Sequence, residues 1–144
     1  MTQTIDIGGI HHLRLTVTDV ERSRDFYTRL LGFEIAADSP PAGTPEAEAA
    51  YPVLWGGVVM VRGDLLMGLR PVAPAGDRFD EDRVGLDHLS FSVASRAALE
   101  AAIELLDANG IPHGEVRELP AFGIAVLPFR DPDNIQVEIT SPIA

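Results

Sequence analysis

Between residues 12 and 17 the chain alternates. Leu13, Leu15 and Val17 fall on one side and His12, Arg14 and Thr16 on the other, the period of a strand with one buried face. Thr18-Asp19-Val20-Glu21 reads as a capping box with Thr18 as N-cap. It predicts a helix to about Leu31 that carries Phe26, Tyr27, Leu30 and Leu31 inward and stops at Gly32. The same order returns later in the chain. Leu89, Phe91 and Val93 alternate with His88, Ser90 and Ser92, Ser95 offers an N-cap, and Leu99, Ala102, Ile103 and Leu106 recur at helical spacing until Asn109-Gly110. After each helix the apolar runs are short and bounded by turn residues, which predicts strands at 33–36, 56–61 and 65–69, then at 115–117, 124–129 and 135–140. Residues 38–51, rich in Pro, Ala and Glu, read as a surface loop or lid, and the Pro- and Asp-rich stretch from Pro71 to Asp82 reads as a connection.

The two halves are copies. Gly9-Ile10-His11-His12-Leu13-Arg14-Leu15-Thr16-Val17 aligns with Gly85-Leu86-Asp87-His88-Leu89-Ser90-Phe91-Ser92-Val93, with Gly, His, Leu and Val identical at one constant offset. Each half is a β-α-β-β-β unit, so the fold class is α+β, with modules at about 8–71 and 84–141 joined by a linker at 72–83. At 144 residues the pair has the length of one ordinary domain, and either module alone is near the small end of what buries enough surface to fold. A duplicated unit with matched histidines also suggests a pseudo-symmetric metal site between the halves.

Composition narrows the function classes. Apolar residues make up 46% and charged residues 23%, which places the chain among globular proteins. The formal charge of −11 repels phosphate backbones and anionic lipid, so neither nucleic acid nor a membrane is an expected partner. No apolar run approaches a bilayer span and the opening Met1-Thr2-Gln3-Thr4-Ile5-Asp6 lacks the pattern of a leader, so the expected compartment is the cytoplasm. There is no Cys, which removes thiolate ligands and nucleophiles, and no Lys, which removes Schiff bases.

Glu138 alternates with Val137 and Ile139 and shares a face with Gln136 and Thr140. A carboxylate set in Ile-Gln-Val-Glu-Ile needs a partner, because an unpaired buried charge is costly, and a cation would supply one. The stretches Ile10-His11-His12-Leu13, Val17-Thr18-Asp19 and Phe26-Tyr27-Thr28-Arg29-Leu30-Leu31-Gly32-Phe33, with Asp87-His88 and Phe129-Arg130-Asp131-Pro132-Asp133-Asn134-Ile135-Gln136-Val137-Glu138, resemble the vicinal-oxygen-chelate superfamily. That group includes glyoxalases, bleomycin-resistance proteins, fosfomycin-modifying enzymes and extradiol dioxygenases. The resemblance implies two βαβββ modules forming a curved, partly open eight-stranded sheet, commonly in a homodimer. It also implies metal ligands at His12, His88 and Glu138.

Two imidazoles and one carboxylate suit Fe(II), Mn(II), Ni(II) or Zn(II) and leave positions open for a substrate with two adjacent oxygens. The metal can then polarise a carbonyl or stabilise an oxyanion. Departures from the subfamilies are specific. The slot of a second, first-module carboxylate in glyoxalase-type isomerases is Gly68, residues 124–129 contain neither His nor Tyr, and Arg14 stands where fosfomycin-modifying enzymes carry threonine. Glu138 could dissociate and act as a base, and Arg14 could neutralise a substrate carboxylate or pair with an acidic neighbour. His11 is expected to point away from His12 by strand alternation, and His113 reads as a loop residue or a proton shuttle. Tyr51 and Trp55 either wall a pocket or pack on the sheet, and Asp131-Pro132-Asp133-Asn134 is a turn.

These residues lead to a metal-dependent lyase, isomerase or dioxygenase acting on a small oxygen-chelating organic substrate. The alternative is a protein that sequesters a drug or metabolite, as bleomycin-resistance relatives do, with the acidic charge drawing a cationic ligand.

Overall fold

A computed structural model describes residues 3–144; Met1 and Thr2, where the opening segment read for a leader begins, lie outside the described residues. The chain divides into two compact units, 1–76 and 77–144.

The first unit contains β1 (His12–Thr16), a short helix α1 (Val20–Asp25), β2 (Glu34–Asp38), a second helix α2 (Pro45–Leu54), β3 (Val58–Arg62) and β4 (Leu65–Arg70). Its four strands form one mixed sheet in the order β1-β4-β3-β2, with β1 parallel to β4. The alternation of β1 holds: Leu15 and Val17 are buried while His12, Arg14 and Thr16 are exposed. They pack with Val58, Met60, Met67 and Leu69, all buried, and full burial of such a side chain contributes about 1.5–3 kcal/mol.

The first helix departs from expectation at both ends. Its N-cap is Asp19, whose carboxylate accepts from Arg22 N at 3.0 Å, while Thr18 Oγ1 accepts instead from the Arg22 guanidinium at 3.0 Å. Asp ranks above Thr as a cap, and here the carboxylate one residue later takes the free amide. The helix widens into a π-helical turn at Phe26–Leu30 rather than running on as α to Leu31. Two successive aromatics, Phe26 and Tyr27, are both buried there, with ring centroids 5.0 Å apart and Tyr27 packed edge-on against Phe33.

The stretch read as a loop at 38–51 holds α2. Thr44 Oγ1 accepts from Ala47 N at 3.1 Å, Pro45 opens the helix, and Glu46 and Glu48 lie at the positive end of its dipole. The helix ends at Trp55 in the left-handed region (φ 56°), and the chain turns sharply at Gly57, where a Cβ would stand 1.8 Å from the carbonyl oxygen of Leu69. Only glycine fits that crossing.

The second unit contains β5 (Leu89–Ser92), α3 (Arg96–Ala108), β6 (Arg117–Leu119), β7 (Ile124–Arg130) and β8 (Gln136–Pro142), with strand order β5-β8-β7-β6. Ser95 caps α3 and Leu99 and Leu106 are buried from its apolar stripe, as the spacing predicts. Along β7 and β8 burial alternates strictly, with Ala125, Leu127, Phe129, Val137 and Ile139 in the core. That leaves Val126, Pro128, Arg130, Gln136, Glu138 and Thr140 on the other face. The architecture is therefore α+β, with the eight expected strands divided equally between two mixed sheets. Among the described residues no helix is long and apolar enough to cross a membrane.

Part of the expected linker belongs to the second unit. Arg130 pairs with Glu81 through two bonds of 2.6 and 3.1 Å, Phe79 N donates to Asp133 O, and Asn134 Nδ2 donates to Phe79 O. The Asp131–Asn134 turn that receives these bonds is organised by the Asp131 carboxylate, which accepts from Asp133 N and Ile135 N. The Arg130 guanidinium holds the Glu81 carboxyl at about 2, well below its ordinary value.

Candidate metal-binding and substrate site

In the second unit the parallel pairing of β5 with β8 sets Ser90 opposite Glu138 and Ser92 opposite Thr140. His88, one residue ahead of β5, brings its Nε2 to 3.3 Å from Glu138 Oε2. Its Nδ1 is engaged by the Asp87 carboxylate at 2.5 Å. A carboxylate accepts, so Nδ1 carries the proton, and Nε2 faces a second carboxylate with a lone pair unless a proton or a metal ion lies between them. The 3.3 Å gap is longer than a charge-assisted hydrogen bond. Two donors each about 2.1 Å from one ion at right angles lie about 3 Å apart, so this pair fits a divalent cation. Gln136 Nε2 donates to Glu138 Oε1 at 3.0 Å and fixes the carboxylate with Oε2 toward the histidine. Glu138 is mostly buried, its side chain 14% exposed, whereas that of His88 is 40% exposed.

His12 and Arg14 belong to the first unit. His11 precedes β1, so strand alternation does not govern it, and the two rings meet edge-to-face with their Nδ1 atoms 2.8 Å apart. The expectation that His11 points away is corrected accordingly. With His12 donating, its Nε2 keeps the lone pair a metal would need. Among the described residues Arg14 pairs with no acidic side chain; its Nη2 donates to Val53 O, near the end of α2, at 3.1 Å.

Register makes the two units comparable. Arg14 faces Gly68 in β1–β4 as Ser90 faces Glu138 in β5–β8. A Cβ on Gly68 would stand 2.9 Å from Arg14 Nε. The long side chain in the first unit thus fills the space that the short Ser90 leaves to Glu138 in the second. Among the described residues no group of three His, Asp or Glu side chains is assembled as a metal site, so the observed donor pair is His88 with Glu138.

Beside Glu138 lies a cavity of about 510 Å3 whose lining includes His113, Arg117, Pro128, Arg130, Gln136 and Glu138. His113 lines it but is held by acceptors on both sides, Asp107 Oδ1 at 3.0 Å from Nε2 and Gly114 O at 2.7 Å from Nδ1. Imidazole satisfies two acceptors only when doubly protonated, and the Asp107 carboxylate, then the Gly114 carbonyl, raise its pKa. The ring ties residues 113–114 to Asp107 of α3, while the backbone bonds Gly114 N to Pro128 O and Arg130 N to Pro112 O join 112–114 to β7. Tyr51 lines a separate cavity in the first unit, and Trp55 packs under the Arg70 guanidinium, 4.0 Å from the ring centroid. Sequence reasoning missed Gln136 and Arg117 as candidates, although Gln136 shares the face of Glu138, and it quoted Asp87 without giving it a role.

Residues 9–139 match the family model described as the Glyoxalase/Bleomycin resistance protein/Dioxygenase superfamily. The uncharacterized protein YwkD of Bacillus subtilis (strain 168) is 28% identical over 134 residues, 92% of this chain and 96% of that protein. A glyoxylase/bleomycin resistance protein/dioxygenase domain from Frankia sp. EAN1pec is similar in structure with a TM-score of 0.73 and 30% identity, covering 95% of this chain and 93% of that one. The fosfomycin resistance protein FosX from Listeria monocytogenes shares the fold, with a TM-score of 0.69 at 16% identity and coverage of 93% and 91%.

Proposed function

Because the chain belongs to the glyoxalase/bleomycin resistance protein/dioxygenase superfamily, we propose that it is a divalent-metal-dependent enzyme acting on a small organic substrate with two adjacent oxygens. The observation that carries this reading is the apposition of His88 Nε2 and Glu138 Oε2 at 3.3 Å, with Asp87 on the far side of the ring. His88 and Glu138 hold the ion, and the family resemblance implies His12, the repeat equivalent of His88, as a further ligand. Fe(II), Mn(II), Ni(II) and Zn(II) all suit that donor set. The ion supplies Lewis acidity and a seat for the paired oxygens.

The side chains around it have separate tasks. Asp87 fixes the His88 tautomer, and Gln136 keeps one Glu138 oxygen occupied so that the other faces the imidazole. Glu138 is the carboxylate placed to take a proton if it leaves the ion; Arg14 of the first unit is the candidate that its sequence position suggests for neutralising a substrate carboxylate. The chemistry open to this arrangement is lyase, isomerase or dioxygenase chemistry, carried out by a cytoplasmic homodimer.

Elemental analysis tests the reading. Protein purified without chelator carries a divalent ion or takes one up from Fe(II), Mn(II), Ni(II) or Zn(II), and protein that stays metal-free through such incubation contradicts it. A second reading, sequestration of a cationic drug or metabolite, draws on the net charge of −11. It predicts metal-independent binding that weakens with salt, measurable by calorimetry with cationic glycopeptide drugs.

A further inference from the structure

The cavity beside Glu138 contains three cationic groups, and two of them are already engaged. Arg130 is held by Glu81, and His113 by Asp107 and Gly114. Arg117 is different. The chain has eleven arginines, and every other one donates to, pairs with or stacks on a neighbour. Arg117 makes no such contact among the described residues. Its sequence neighbour Glu118 is taken by Arg96 at 2.6 Å. In a chain with 22 acidic residues, an unpaired guanidinium in a cavity wall is a local reversal of charge.

Its position relative to Glu138 follows from the sheet. Arg117 pairs with Val126, which pairs with Thr140, and Glu138 is two residues back along β8. Two strand spacings across and two residues along separate the backbones of Arg117 and Glu138 by roughly 12 Å. An arginine side chain, a ligated ion and a molecule of four or five carbons span that gap. The lining between is apolar at Val126 and Pro128.

We propose that Arg117 is the anion anchor of the substrate site: the substrate is a small organic acid whose carboxylate rests on Arg117 while its two adjacent oxygens lie at His88 and Glu138. This rests on the metal-chelating reading above. A guanidinium fork matches a carboxylate with two parallel bonds, which makes Arg117 a specificity determinant rather than a general attractor.

Calorimetry on the Mn(II)-loaded full chain with 2-oxoglutarate and 2-oxopentanoate tests it, because the two probes share the chelating end and differ only in the distal carboxylate. Wild type is expected to bind 2-oxoglutarate about tenfold or more tightly. Arg117→Gln brings 2-oxoglutarate down to the affinity of 2-oxopentanoate and leaves 2-oxopentanoate and Mn(II) binding unchanged, and Arg117→Lys keeps part of the preference. Equal affinity in wild type, a preference that survives Arg117→Gln, or no binding of either probe overturns the proposal. If the protein takes up no Mn(II), the metal reading fails separately, and the same comparison on metal-free protein decides the role of Arg117.

Discussion

His88 stands between two carboxylates, and their tasks differ. Asp87 engages Nδ1 while Glu138 faces Nε2, so removing the Asp87 charge leaves both metal donors present but loosens the ring. Asp87→Asn is expected to raise the dissociation constant for Zn(II) about 10- to 100-fold with little change in melting temperature, as measured by competition with a chelating dye. A second residue-scale expectation concerns Gly68. Its Cβ would collide with Arg14 Nε, so Gly68→Glu alone displaces Arg14 from Val53 and destabilises the fold. Arg14→Ser combined with Gly68→Glu recreates the Ser90/Glu138 arrangement, and chemical denaturation of the four proteins should show a favourable coupling of about 0.5–3 kcal/mol. Additive losses would mean that the two side chains do not compete for one space.

At the scale of elements, the difference between α3 and α2 shows what a sequence displays. α3 has a cap, an apolar stripe and a glycine stop, and its stripe is visible because Leu99 and Leu106 are buried. α2 buries none of its residues, so it has no hydrophobic period to read, and its Pro-rich approach resembles a loop. Its stability is local, resting on the Thr44 cap and the charges of Glu46 and Glu48. Thr44→Ala should cost α2 about 1 kcal/mol, visible as faster amide exchange over 47–54 with the global melting temperature nearly unchanged. The clamp at His113 is equally local but depends on pH. Asp107 and the Gly114 carbonyl raise the folded pKa of His113 above 6.5. The charged ring therefore stabilises the folded state fully below about pH 6.5, and this stabilisation fades as pH rises through the folded value. Chemical denaturation should show wild type exceeding Asp107→Asn at about pH 6 and the gap closing by about pH 9; a gap that grows with pH would reverse the assignment.

At the scale of the whole molecule, duplication is what made the fold legible. The strand order, the β5–β8 face and the place of Glu138 follow from period and repeat register, because each depends on alternation that burial enforces. Tertiary choices were not legible in the same way. Asp19 takes the cap from Thr18, residues 77–81 join the second unit through Arg130, Phe79 and Asn134, and the His11 ring turns onto His12 before β1 begins. Arg117 is identified by the absence of a partner, which no sequence pattern encodes. The proposal that matters most is that His88 and Glu138, apposed within the second unit, bind a divalent ion. Co(II) titration followed by visible absorption tests it most directly. The account predicts saturation at one equivalent per chain, with His88→Ala and Glu138→Ala each abolishing or greatly weakening the d–d bands. Absence of binding in wild type, or bands indifferent to these substitutions, would contradict it.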